Sequence, residues 1–147
     1  MPAKVYDPKS VVIVFGPVLV TGFADGTFLS VDFNEDAFSL QMGTDGEGTR
    51  SKTNNESATI TFTLMQSSQA NTLLSALHGL DLLSPSGDGI VPLLIKDLNG
   101  DSLYSAETAW IRKRPTSEFG REAGPREWTI ETDNLAAVVG GNFNAPT

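Results

Sequence analysis

From Ala58 to Met65 the apolar residues Ala58, Ile60, Phe62 and Leu64 alternate with Thr59, Thr61, Thr63 and Met65. A period of two sends successive side chains to opposite faces of a strand, so one face meets a core and the other meets water or a partner. Arg126 to Asp133 repeats the pattern: Trp128, Ile130 and Thr132 lie on one side, Glu127, Thr129, Glu131 and Asp133 on the other. Leu29, Val31 and Phe33 show it again near the N-terminal end. Further strands are predicted at Val11 to Phe15, Ala37 to Met42, Val91 to Asp97, Ser102 to Ser105 and Glu107 to Arg114. Asn34-Glu35-Asp36 and Leu98-Asn99-Gly100 are rich in turn formers and predict tight connections.

The pattern predicts one helix. It is opened by Ser67 or Ser68, closed near Gly79, and carries Ala70, Leu73, Leu74 and Leu77 at offsets 0, 3, 4 and 7. A single apolar stripe packs on a sheet by one face. Two stretches carry no element: Gly43 to Ser57, polar and glycine-rich, and Pro115 to Pro125, with charges of both signs. Long connections inside a compact domain are usually functional or disordered. The fold class is therefore mainly β, an antiparallel sandwich or barrel with one packed helix. The length of 147 residues suits one domain, 1–147, with an N-terminal arm 1–10 and a tail 140–147 expected to fray.

Near the N-terminus, Lys4 and Lys9 precede an apolar run from Val11 to Val20, with small residues at Gly22-Phe23-Ala24. That order imitates a secretion signal. Asp7 in the basic region, the Gly16-Pro17 break and the β-branched run Val11 to Val14 favour a buried strand instead. No segment has about 18 uncharged apolar residues in a row, so no membrane-spanning helix is expected.

Composition narrows the chemistry. The absence of cysteine excludes disulfides, thiolate metal sites and cysteine nucleophiles, and one histidine, His78, cannot build a multi-histidine centre. A net charge of −8 opposes binding by phosphate neutralisation, which rests on Lys and Arg. Asp97-Leu98-Asn99-Gly100-Asp101 opens like a calcium loop, but its sixth position is Ser102 and its twelfth is Thr108 where a bidentate Glu is needed. A hairpin turn explains it better. Arg112-Lys113-Arg114 is read as pairing with carboxylates such as Glu118 or Glu122, or with a neighbouring subunit. His78 is expected at the helix C-terminus, complementing the dipole. No nucleophile elbow, Walker loop or dinucleotide fingerprint occurs, so neither an enzyme nor a cofactor is expected.

Three blocks stand out in order along the chain. The first runs from Gly43-Thr44-Asp45-Gly46-Glu47-Gly48 through Ser51-Lys52-Thr53-Asn54-Asn55 into Ala58 to Leu64. The second is Ser67-Ser68-Gln69-Ala70-Asn71 with Leu73-Leu74-Ser75-Ala76-Leu77. The third joins Val91 to Asp97, Ala109-Trp110-Ile111-Arg112-Lys113, Glu118-Phe119-Gly120, Arg126-Glu127-Trp128 and Gly140-Gly141-Asn142. Together, in this order, they resemble the tail tube proteins of contractile-tailed bacteriophages, with Met1 to Ser10 and Asp81 to Gly89 matching least.

The resemblance implies a hexameric ring whose subunits give strands to a barrel around a lumen, and rings stacked into a tube within a contractile sheath. Its implied partners are other copies of the chain, sheath, baseplate and tail terminator proteins, a tape measure protein in the lumen, and DNA passing without specific binding. Its place is the virion tail, assembled in the host cytoplasm. The 43–57 stretch is expected to reach the next ring, with Asp45, Glu47, Arg50, Lys52, Asn54 and Asn55 as contacts, and Arg112, Lys113, Arg114, Glu118 and Arg121 as further subunit contacts. Six copies at −8 would carry −48 per ring, facing DNA with about one negative charge per 1.7 Å of axis. The alternative is a monomeric β-sandwich carbohydrate-binding module. Trp110 and Trp128 lie within strand patterns and read as core, which leaves such a module without its stacking aromatics.

Overall fold

The computed structural model describes residues 3–144. In chain order the elements are β1 Val11–Phe15, β2 Val18–Val20, β3 Leu29–Phe33, β4 Phe38–Met42, β5 Gly48–Lys52, β6 Ala58–Met65, the helix α1 Ala70–Leu83, β7 Val91–Asp97, β8 Leu103–Lys113, β9 Pro125–Thr132 and β10 Ala136–Val138. The main sheet runs β2-β1-β7-β8-β9-β6-β3, with β10 on β8, and all its pairings are antiparallel. The β4–β5 pair forms a separate two-stranded sheet.

This sheet closes on itself. The chain leaving β2 continues beside β6, where Phe23 bridges Leu64, the Met65 amide donates to the Gly22 carbonyl at 2.8 Å and the Ala24 amide to Thr63 at 3.0 Å. After an interruption at residues 25–27 the same run becomes β3, paired with β6 from Leu29↔Phe62 to Phe33↔Ala58. One continuous segment thus joins β1 on one side to β6 on the other. The closure needs glycine: Gly22 has φ +77°, and a Cβ there would stand 2.7 Å from the Ser68 Cβ.

Closure wraps one core. Ile13, Phe15, Val18 and Val20 from one end of the sheet meet Ala58, Ile60, Phe62 and Leu64 from the other, with Leu93, Ile95, Ala109, Ile111, Trp128 and Ile130 between them. Ala70 and Leu74 of α1 complete the cluster. The N-terminal turn of α1 is fastened to the barrel by polar groups. The Ser68 hydroxyl donates to the Thr21 carbonyl at 2.6 Å and accepts from the Ala70 amide at 3.2 Å, while Trp128 Nε1 donates to Asn71 Oδ1 at 2.8 Å.

Several expectations change. The apolar run at the N-terminus is a hairpin: Gly16, with φ +57°, and Pro17 turn β1 into β2. Ser102 to Ser105 and Glu107 to Arg114 merge into the single strand β8, which absorbs the misfit as register shifts against β7 and β9. Helix α1 runs past Gly79 to Leu83, because Gly79 keeps a negative φ and cannot supply the left-handed stop. His78 consequently lies inside the helix, its Nδ1 buried without a partner, and the dipole explanation fails. Trp128 is core, but Trp110 is half-buried on the opposite face of β8, because its neighbours Ala109 and Ile111 take the inward positions. The stretch 43–57 is not all loop, since it contains β5.

The tail, expected at 140–147, is hydrogen-bonded to the β7–β8 turn as far as Asn144, and its residues 145–147 lie outside the described residues. Asn142 Nδ2 donates to Asp97 Oδ2 at 2.8 Å, the Ser10 hydroxyl to Asp97 Oδ1 at 2.9 Å, and the Asn99 amide to the same oxygen at 2.9 Å. Asp101 donates its amide to Gly141, Phe143 to Asn99 and Val5 to Phe143, so both terminal segments are laced to the β7–β8 turn. The calcium-like motif is therefore a turn whose carboxylate is occupied by protein donors. Partial burial disfavours the Asp97 anion, but the hydrogen bonds from Asn99, Ser10 and Asn142 outweigh it and hold its pKa below the ordinary range.

Phe62 is fully buried between Leu29 and Trp128 in register. Phe62→Ala is expected to cost about 3–5 kcal/mol, read as a lower urea midpoint. A loss under about 1 kcal/mol would contradict the packing described. Because the folded pKa of Asp97 is depressed, its contribution is present above an unfolded value of about 4 and lost as pH falls through the folded value. Wild type should exceed Asp97→Asn in stability at neutral pH, and the gap should close in acid. A gap constant with pH would show that ionisation of Asp97 is not its source.

Candidate assembly surfaces

The β4–β5 hairpin leaves the barrel between β3 and β6 and carries no buried residue. Its root is sealed by Asn34, whose amide nitrogen donates to Ser57 Oγ at 2.9 Å and whose Oδ1 accepts from Thr59 Oγ1 at 3.0 Å. From Ala37 to Asp45 the arm extends roughly 26 Å at about 3.3 Å per residue. Register places Phe38, Leu40 and Met42 on one face, with Lys52, Arg50 and Gly48 opposite them. The Arg50 guanidinium lies over the Phe38 ring at 3.8 Å, and Leu40 and Met42 close over the space beside Gly48. Leu40 is 68% and Met42 62% exposed. The other face is Ser39, Gln41, Thr49 and Ser51.

Asp45 and Glu47 sit at the tip, where Asp45 Oδ1 accepts the Glu47 amide at 3.1 Å and shapes the turn. Asn54 and Asn55 lie on the returning limb, and Asn55 Oδ1 accepts from the Ser57 amide at 2.9 Å. The apolar stripe is the feature that residue type alone missed. It was legible as the alternation Phe38-Ser39-Leu40-Gln41-Met42, whose apolar face has no core to meet.

Arg112, Lys113, Arg114, Glu118 and Arg121 gather at the opposite end of the sheet, where β8 ends and β9 begins. Among the described residues Arg112 pairs with Glu131 at 3.7 Å across the strands, not with Glu118 or Glu122, because β9 sets Glu131 opposite Trp110, two residues before Arg112 on β8. Glu118 uses its carbonyl, which accepts from Arg126 Nη2 at 3.0 Å, and Arg121 is exposed. Arg126 itself is buried, donating also to its neighbour Pro125 at 3.0 Å and stacked 5.2 Å from the Phe119 ring. Among the described residues no carboxylate stands within ion-pair distance of Arg126.

A third surface is the outward face of β3, β6 and β9. Ser30, Asp32, Thr59, Thr61, Thr63, Glu127, Thr129 and Glu131 lie there in register, a hydroxyl field carrying three carboxylates. On its flank, among the described residues, β3 has β6 as its one paired neighbour and leaves its other edge open.

The fold of this chain is shared with solved structures from contractile injection systems. A chain of the sheath–tube complex of an extracellular contractile injection system, PVC, in its extended state superposes with a TM-score of 0.60 at 10% identity over 90% of both chains. The sheath/tube terminator of that system gives 0.58 at 10% identity over 91% of this chain and 96% of the other. The tube-terminating cap of the anti-feeding prophage gives 0.57 at 10% identity, over 90% of this chain and 89% of that one. At such identity these likenesses establish the fold. Sequence goes further: structural protein ORF10 of Pseudomonas phage KPP10 is 34% identical over 143 residues, 93% of this chain and 83% of the relative. Residues 13–140 match the bacteriophage PhiTE tail tube protein family, and the chain belongs to that family. It is a structural protein of the phage tail tube.

Proposed function

We propose that copies of this chain close into hexameric rings and stack into a tube that conducts DNA from the virion to the host. The observation that carries the reading is the match of residues 13–140 to the tube family. Three physical features support it. A two-stranded hairpin with one apolar face is marginal by itself in water and is stabilised by docking. The open edge of β3 offers unpaired backbone groups that a neighbouring subunit can cover, and head-to-tail contacts that close by rotation generate rings. The solved structures that share this fold are a sheath–tube complex, a sheath/tube terminator and a tube-terminating cap, which supports sheath and terminator proteins as partners here. Baseplate and tape measure proteins, DNA in transit and assembly in the host cytoplasm complete the reading, with a structural rather than a catalytic role.

Magnitudes assign parts to the arm. Exposed ion pairs contribute about 0–1 kcal/mol each, whereas burying a side chain such as Leu40 or Met42 contributes up to about 1.5–3 kcal/mol. Phe38, Leu40 and Met42 therefore supply the affinity of the inter-ring contact, and Asp45, Glu47, Arg50, Lys52, Asn54 and Asn55 its register. The threonine and carboxylate face of β3, β6 and β9 is the proposed lumen wall. It repels phosphate and offers few cations to hold it.

Electron microscopy of the purified protein, beside its mass by light scattering, is expected to show sixfold rings or hollow tubes. A strict monomer at every concentration, not nucleated even by a baseplate complex, would overturn the reading in favour of a monomeric binding module. Leu40→Asp is expected to leave the unfolding free energy of the subunit within about 0.5 kcal/mol of wild type and to abolish tubes. Tubes of normal length would remove the arm from the assembly contact. Asp32→Lys with Glu127→Lys should slow DNA ejection in phage carrying the variant, and unchanged ejection would show that this face does not line the lumen.

A further inference from the structure

Two features of the barrel lie at opposite ends of β6. The arm departs beside Ala58, the first residue of the strand, while Arg126 pairs with Leu64 and Pro125 with Met65 at its other end. Beside Arg126 opens a cleft of about 520 Å³, walled by Trp128, Pro115, Ser75 and Ser117, with Arg114 at its mouth and Phe119 on its rim. Two guanidinium groups line it and no Asp or Glu does. Glu118 and Glu127 flank the adjoining cleft that shares both arginines, yet neither reaches ion-pair distance of a guanidinium among the described residues. Arg126 is 6% exposed, and its partners are two carbonyls and a ring. A buried guanidinium without a carboxylate is costly to hold, and an arriving anion relieves that cost. Phe119, 82% exposed, adds an apolar lip.

The geometry points to this cleft as the socket for the arm of a second copy, with the Glu47 carboxylate entering between Arg114 and Arg126 and Leu40 and Met42 covering Phe119. The inference rests on the tube reading and gives the arm its acceptor. Charge and shape are both complementary: an acidic tip with an apolar stripe behind it, a basic cleft with an apolar lip in front. Polarity agrees as well. With the arm at one end of β6 and the socket at the other, copies related by translation along the strand bring each arm to the next socket. Such a heterologous contact repeats without limit, as a stacked tube requires.

The chain has no cysteine, so engineered thiols report the contact without background. Glu47→Cys and Ser117→Cys subunits, both altered at exposed positions, are mixed, assembled and mildly oxidised. A disulfide-linked heterodimer is expected in tubes, absent from either variant alone and from disassembled protein. Tubes of normal form without that crosslink would overturn the socket and leave the tube reading standing. Wild-type protein that never assembles, even when seeded, would overturn both. Charge exchange tests the same contact without thiols: Arg114→Glu is expected to raise the concentration needed for assembly at least about tenfold, and adding Glu47→Arg to restore it. An Arg114→Glu protein that assembles as wild type, or that Glu47→Arg worsens, would also overturn the socket.

Discussion

Closure of the sheet through residues 18–33 is the constraint on which the other features depend. One segment pairs with β1 at its start and with β6 over the rest, so the two ends of the sheet cannot drift apart. Without it, the apolar faces of β1 and β6 would each need a separate cover. With it they bury one another around Phe62 and Trp128, and α1 has only one opening to seal. Gly22 makes this possible by letting the chain pass against Ser68, whose hydroxyl ties that same turn to the start of the helix. Local sequence, hydrogen bonding and packing converge on one corner of the barrel.

Once the barrel is closed, its core has no room for the residues between Asn34 and Ser57. The hairpin there keeps the alternation of a half-buried strand and has nothing within its own subunit to bury against. An exposed apolar stripe of this kind, bounded by Arg50 and Lys52, is a candidate interaction surface, alongside other exposed large residues such as Leu83, Phe119 and Val139. In the proposed tube, the arm is a strand pair whose second layer would come from another copy.

Most of this was legible because it rests on local rules. Period-two alternation located β6 and β9 almost to the residue, and the helix stripe located α1. What failed to show depends on contacts distant in sequence. β5, Gly48–Lys52, has no apolar residue and forms because β4 lies opposite it. β10 exists only as an addition to β8, and the helix continues past Gly79 because that glycine stays helical. Trp110 and Trp128 look alike in the sequence, but the phase of β8, set by Ala109 and Ile111, turns Trp110 outward. The partner of Arg112 could not be read from neighbouring residues, since Glu131 arrives across a strand pair. Of the surface residues, charges were easy to nominate by type. The apolar arm and the buried Arg126 become visible only when faces and burial are known.

Charge distribution reconciles an acidic subunit with self-association. At −8, copies repel one another, and bulk charge alone would oppose assembly. Seven of the ten cationic side chains are held at two places: Arg50 and Lys52 on the arm, and Arg112, Lys113, Arg114, Arg121 and Arg126 at the far end of the sheet. Among the described residues, the carboxylates of the β3, β6 and β9 face make one ion pair, Arg112 to Glu131. In the proposed stack, attraction would be confined to the ends that meet, while the face between them would keep its repulsion for phosphate. Screening favours this arrangement, because contacts within a few ångströms survive a Debye length of about 8 Å at physiological salt while the diffuse repulsion between whole subunits is damped. Assembly and a non-adhesive channel can then coexist in one small acidic protein, provided its few cations stay where subunits touch.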